Sequence, residues 1–312
     1  MQTFHLNADD GETLHAACWL PDGAPRAVVL ISHGMSEYAV RYHRFAQTLT
    51  AAGYAVYAHD HRGHGAAPRL RGYFAAENGW DKVVADVETL RRHAAERHPS
   101  LPVALFGHSM GSFIARAYFL RHGAALSGLA LSATGYRQRP LAWLLRGLAR
   151  LVARCGSPER PSRLLARLIF GSFNLGFLPA RTSMDWLSRD PAEVDKYLVD
   201  PLCGFDPCPG LWIDLFGGII AMERGEASGD SLPRRCPVWL LAGSRDPVSL
   251  GKLGLGQLEI RYREAGLLDV RTTVYPGGRH EMLNETNRVE VEQDMLRWLE
   301  RISAQPAGAG SA

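Results

Sequence analysis

Lysine is nearly missing from this 312-residue chain: only Lys82, Lys196 and Lys252 occur, so its basic side is almost wholly arginine. That bias carries no functional message on its own. Charge of one sign is not in excess either. The net charge of +3 is too small to point to a nucleic-acid partner. Cysteine is scarce, and Cys18, Cys155, Cys203, Cys208 and Cys236 form an odd, scattered set that does not make a disulfide framework. Cys203 and Cys208 could pair in an exported chain, but buried or half-buried free thiols are the expectation. No apolar run is long enough to span a bilayer, and the opening MQTFHLNADDGETLH lacks a basic-then-apolar leader pattern. A cytoplasmic protein is expected from these absences. Hydrophobic residues at 46% and charged residues at 21% fit a globular chain of one large or two modest domains.

What is present is a rhythm. QTFHLNA and TLHAACWL flank the turn signal Asp9-Asp10-Gly11 and read as a hairpin. AVVLISHG (27–34), AVYAHD (55–60), VALFG (103–107) and LSGLALSA (126–133) are strands buried on both faces. Helical spacing falls between them at 41–52, 80–97 and 111–122. From Tyr136 to about Leu232 no clear strand occurs, only helical pieces with Pro and Gly breaks. The rhythm resumes with PVWLLAGS (237–244), VRTTVYPG (270–277) and an amphipathic helix near 287–302. The expected fold is therefore α/β: a mostly parallel central sheet flanked by helices, with a helical cap insertion. The expected boundaries are 1–134 and 233–302 for the core and 135–232 for the cap or lid, with 303–312 a disordered tail.

One stretch carries chemistry. Gly107-His108-Ser109-Met110-Gly111 joins a buried strand to a helix. A serine in so tight a turn needs neighbours without bulk, which Gly107 and Gly111 supply. The turn lifts the hydroxyl off the sheet, and the helix start places the Met110 N–H where an oxyanion could form. A serine nucleophile needs a base, and the base needs an orienting carboxylate. Asp246 follows the strand 237–244 and His280 follows 270–277, both at strand carboxyl ends, where open parallel sheets place their active sites. Ser32-His33-Gly34-Met35 ends the first central strand and would offer a second oxyanion donor, the Met35 N–H. His33 reads as structural, and His108 would point away from the serine hydroxyl. Glu281 reads as solvated or as a supporting carboxylate. His59, His61 and His64 crowd one loop with Asp60, but no metal centre is expected there.

Together with His33-Gly34-Met35-Ser36-Glu37, Arg41-Tyr42, Asp60-His61-Arg62-Gly63-His64-Gly65, Asp246-Pro247-Val248 and Arg279-His280-Glu281, these motifs resemble the α/β-hydrolase superfamily. The resemblance is to its monoacylglycerol lipase and lysophospholipase branch, with a serine aminopeptidase S33-type domain, and runs from about Ala27 to Arg301. Arg189-Asp190-Pro191 through Asp200-Pro201-Leu202 resembles that branch's insertion. The resemblance implies a catalytic triad of Ser109, Asp246 and His280 and an oxyanion hole from Met35 and Met110. It implies a lipid ester as substrate, water as second substrate and no cofactor. Ala66-Ala67 departs from it, since relatives often carry serine after that loop.

The insertion is the only substrate clue. Leu141, Leu144, Leu145, Leu148, Leu151, Val152 and Cys155 share one helical face, with Arg139, Arg146, Arg150 and Arg154 opposite and Trp143 among them. Two readings stand: leucines packed on the core with arginines in water, or a cap that also docks on an anionic lipid surface, leaving the protein peripheral at a membrane. Leu168-Ile169-Phe170 and Phe173 through Leu178 add apolar material fit for a long acyl chain. The competing functions are a short-chain carboxylesterase, an aminopeptidase-type hydrolase anchored by Asp206 or Asp214, and a non-enzymatic binding protein. The intact triad set argues against the last.

Overall fold

A computed structural model describes residues 1–136, 138–229 and 231–303. The tail expected to be disordered lies, from residue 304 onward, outside the described residues. Eight strands form one sheet in the order β1 (Gln2–Asn7), β2 (Thr13–Trp19), β4 (Tyr54–His59), β3 (Ala27–Ser32), β5 (Val103–His108), β6 (Gly128–Ser132), β7 (Val238–Gly243), β8 (Val270–Tyr275). β1 pairs with β2, and β2 with β4, antiparallel; every later pairing is parallel. The hairpin around Asp9-Asp10-Gly11 is present as read.

The sheet alternates its side chains between two cores, as a period of two requires. Val28, Leu30, Leu105 and Leu240 face one side and pack with α2 (Gly79–Arg97) and α3 (Met110–His122). Val29, Ile31, Phe106 and Leu241 face the other, with α1 (His43–Ala51) and α9 (Arg288–Ser303). Burial on both faces explains why these strands read as unbroken apolar runs.

Between β6 and β7 the chain leaves the sheet and forms α4 (Arg139–Cys155), α5 (Arg163–Asn174), α6 (Pro191–Val199) and α7 (Pro209–Ser228). This is the cap of an α/β-hydrolase fold. α7 joins it to the core. On α7, Glu226 forms a fully buried ion pair with Arg116 of α3 at 2.6 Å and accepts from the Tyr262 hydroxyl at 2.7 Å. Glu223 accepts from the Gln138 N–H at 2.9 Å and the Arg139 N–H at 3.3 Å, satisfying orphan donors at the start of α4.

The leucine face of α4 divides: Leu145, Leu148 and Val152 are half-buried and pack against the core, whereas Leu141, Leu144 and Leu151 are more than half exposed and Trp143 is 72% exposed. The buried seam is Ala142 and Ala149, flanked by half-buried Leu145, Arg146 and Leu148. Small residues let α4 approach α7 closely, where the Arg146 guanidinium lies over Gly217. A further helix, α8 (Gly251–Glu264), occupies a stretch that carries no reading above, because Gly251, Gly254 and Gly256 hide its helical signal.

Candidate active site

The site assembles at the carboxyl ends of the parallel strands. β5 delivers Ser109, which adopts φ 51°, ψ −120°, between the strand and the first residue of α3. The strain is held from both sides: the Ser109 N–H donates to Ser132 O at 3.0 Å, and Ser109 O accepts from the Ser112 hydroxyl at 2.6 Å. The two glycines are steric necessities. A Cβ on Gly107 would sit 2.6 Å from Gly111 O, and one on Gly111 would sit 2.1 Å from Ser32 O.

β3 delivers the second turn. His33 is fully buried; its Nε2 accepts from the His61 N–H at 2.9 Å, which leaves Nδ1 to donate to Gly34 O at 2.7 Å. Burial pushes its pKa down to about 3, so the ring is neutral and structural, as its sequence reading holds. The carbonyl it grips belongs to the same peptide as the Met35 N–H. The Gly34 N–H in turn donates to Glu37 Oε1 at 2.5 Å. Among the described residues, neither Met35 nor Met110 donates its N–H to a protein acceptor.

β7 and β8 deliver Asp246 and His280. Asp246 is buried, and its two oxygens accept from the Val248 N–H at 3.0 Å and the Ser249 N–H at 3.2 Å. Its Oδ1 lies 2.7 Å from His280 Nδ1. The two loops touch so closely that a Cβ on Gly243 would meet Gly278 at 2.1 Å. The His280 N–H donates to Trp186 O of the cap, and the imidazole packs 4.7 Å from the Trp186 ring and 4.9 Å from that of His108. The His108 Nδ1 lies 3.2 Å from the Ser132 hydroxyl. Burial lowers the His108 pKa to about 4, so this ring does not compete as a base near neutral pH.

Ser109, His280, Met35 and Met110 all line one pocket beneath the cap. Its remaining walls are largely apolar: Phe113, Ile169, Phe170, Phe173, Trp186 and Leu187, with Trp212, Leu215 and Phe216 of α7. Ile169, Phe170 and Phe173 belong to the apolar material noted in the sequence. The α7 wall was not singled out there, because an all-round apolar helix does not say which face meets a cavity.

Of the two readings of Glu281, burial favours the supporting carboxylate over the solvated one: Arg41 grips it with both Nη atoms at 2.7 and 2.8 Å. Burial alone would raise the Glu281 carboxyl, but Arg41 outweighs it and holds it below the usual carboxylate range. Neither Asp206 nor Asp214 lines the pocket. Asp206 faces Arg163 at 3.8 Å, and Asp214 lies against α2 near Gly79, its pKa raised by burial to about 6. All five cysteines are free thiols, and Cys155 is exposed rather than buried. Among the described residues no group of three or more His, Cys, Asp or Glu converges to hold a metal ion, and no helix is long and apolar enough to cross a membrane.

The profile of the family described as "Serine aminopeptidase, S33" matches residues 23–287. The chain is 32% identical over 289 residues to the monoacylglycerol lipase of Mycolicibacterium smegmatis, covering 90% of each chain. It is 30% identical over 314 residues to the human monoglyceride lipase, covering 99% of this chain and 92% of the relative. Among solved structures, a highly thermostable carboxyl esterase from Bacillus coagulans in complex with glycerol superposes with a TM-score of 0.87 at 30% identity. That match covers 97% of this chain and 99% of the other.

Proposed function

The chain belongs to the serine aminopeptidase S33 family of α/β-hydrolases, serine hydrolases of carboxylic esters, and from that membership we propose that it cleaves monoacyl lipid esters as a monoacylglycerol lipase or lysophospholipase. Ser109 is the nucleophile. His280 takes its proton as the hydroxyl attacks the ester carbonyl, and Asp246 holds the imidazole and stabilises its charged form. The N–H groups of Met35 and Met110 receive the oxyanion. His280 then protonates the departing alcohol, and water releases the fatty acid through a second passage of the same steps. The core at 1–134 and 233–302 supplies this machinery, and the cap at 135–232 supplies the cover.

One observation carries the lipid assignment: Ser109 opens into a pocket whose walls are largely aromatic and aliphatic. A long acyl chain is the ligand chemistry such walls favour. Each methylene removed from water contributes about 0.8 kcal/mol, or about fourfold in binding. The peptidase alternative is weaker, because the carboxylates on the pocket wall, Glu37 and Glu281, are both engaged by Arg41 and not free to anchor a substrate amine. The outward face of α4 extends the reading to the lipid surface. Leu141, Trp143, Leu144 and Leu151 stand in solvent beside exposed Arg139, Arg150 and Arg154, a composition suited to an anionic bilayer.

The deciding experiment is a p-nitrophenyl ester series from two to sixteen carbons, run beside monoacylglycerol and lysophosphatidylcholine. Rising kcat/KM with chain length and turnover of one or both lipids is expected. A strict preference for two to four carbons assigns the chain to the short-chain carboxylesterases instead.

A further inference from the structure

Three charges meet under the site without cancelling. Glu37 and Glu281 are buried and Arg41 is largely so, with side chains 4%, 7% and 13% exposed, and one cation serves both anions. Arg41 Nη1 lies 2.7 Å from Glu37 Oε2 and 2.7 Å from Glu281 Oε1, while Nη2 takes the other Glu281 oxygen at 2.8 Å. Its guanidinium is also stacked 4.8 Å from the centre of the Tyr197 ring. Removing Arg41 would leave two neighbouring buried carboxylates without compensation, so the cation holds the arrangement together.

Each carboxylate holds a different part of the machinery. Glu37 Oε1 accepts from the Gly34 N–H at 2.5 Å and from the Tyr42 hydroxyl at 2.8 Å, and so fixes the turn that presents the Met35 N–H. Glu281 is the residue after His280; its own N–H donates to Leu187 O at 2.8 Å, and its carboxylate also accepts from Asn284 Nδ2 at 2.8 Å. The tie through Arg41 spans 240 positions of sequence. Planar, bidentate geometry is what guanidinium provides and an ammonium does not.

We propose that Arg41 is a positioning residue whose fork locks the Met35 turn and the His280 loop into one rigid body, keeping oxyanion donor and base in register with Ser109. This rests on the hydrolase reading above. Catalytic groups must be held to within about 0.5 Å of productive geometry, and a looser hold lowers turnover more than ground-state binding.

The test compares wild type with Arg41→Lys, Glu37→Gln and Glu281→Gln. Competent sites are counted by titration with a fluorophosphonate, and kcat and KM are then measured on p-nitrophenyl butyrate. Each variant is expected to lose about tenfold or more in kcat per titrated site, with KM within about twofold. Affinity for a boronic acid that mimics the tetrahedral state falls in parallel. A merely structural role would lower the melting temperature or the titratable fraction and leave kcat per titrated site unchanged, which overturns the proposal. Should Arg41→Lys fail to fold, the neutral isostere Glu281→Gln decides by the same readout. A wild type that does not label at Ser109 overturns the hydrolase reading and this inference with it. A labelled wild type with unimpaired variants overturns only the role of Arg41.

Discussion

Asp246 Oδ1 and His280 Nδ1 stand 2.7 Å apart, on loops that follow adjacent parallel strands. Asp246 is fixed independently by the Val248 and Ser249 N–H groups. The carboxylate is therefore set before it sets the imidazole, which leaves Nε2 as the nitrogen for proton transfer. Asp246→Asn would keep the shape and impose the wrong tautomer. A fall in kcat of about 10³–10⁴ is expected, with little change in melting temperature. Steady-state kinetics and a thermal melt on the same preparation check it, and a loss under tenfold would remove Asp246 from the mechanism.

Ser109→Ala should abolish fluorophosphonate labelling and lower ester turnover by about 10³ or more. Mass mapping of the labelled wild-type peptide locates the adduct. Labelling at another serine would displace the assignment.

Gly111→Ala should prevent accumulation of folded protein or cost about 3 kcal/mol or more. The new methyl would stand 2.1 Å from Ser32 O, which is backbone of a central strand and cannot yield. Urea unfolding of Gly111→Ala against Gly147→Ala, where nothing lies within 4 Å, isolates the steric effect from the general one.

Acid should destabilise the fold well above the pH at which carboxylates titrate. Burial lowers the pKa of His33 to about 3, His59 to about 4 and His64 to about 3, and lowers His61 well below its ordinary value. Unfolded, each returns to about 6.5. The unfolded chain thus takes up protons that the folded chain refuses. Stability is complete above about pH 6.5 and declines as the pH falls below it. Melts from pH 7.5 to 5 should show this slope. His59→Phe should flatten it, because neither ring nitrogen of His59 has a hydrogen-bond partner. A pH-independent melt would contradict the account.

The outer face of α4 should bind anionic bilayers. Trp143→Ser with Leu144→Ser is expected to reduce cosedimentation with phosphatidylglycerol vesicles several-fold, and high salt should weaken what remains. Equal binding of wild type and variant to anionic and neutral vesicles would argue against the docking face.

The sheet was legible from sequence because strands covered on both faces carry uninterrupted apolar runs, as in Ala27–Ser32 and Val103–His108. The placement of Ser109, Asp246 and His280 at one end of the sheet was legible for a local reason: each follows a strand and sits in a turn with its own signature. What escaped was nonlocal or cryptic. α8 carries three glycines that mute its helical signal. The amphipathic pattern of α4 announces an apolar face, but not that Ala142 and Ala149 form the seam while Leu141, Leu144 and Leu151 turn outward. Glu281 stayed open between a solvated and a supporting role because its partner, Arg41, lies 240 positions away, and no spacing rule reaches that far.

The order of the strands also sets an order in time. Ser109 and the Met35 turn belong to strands made before the cap, whereas Asp246 and His280 arrive on the last two strands, made after it. Under the proposed mechanism, a growing polypeptide carries its serine unarmed until nearly the whole chain has emerged from the ribosome. The same division marks the loops beside the insertion as places to split the gene, yielding two inert fragments whose reunion would switch hydrolysis on.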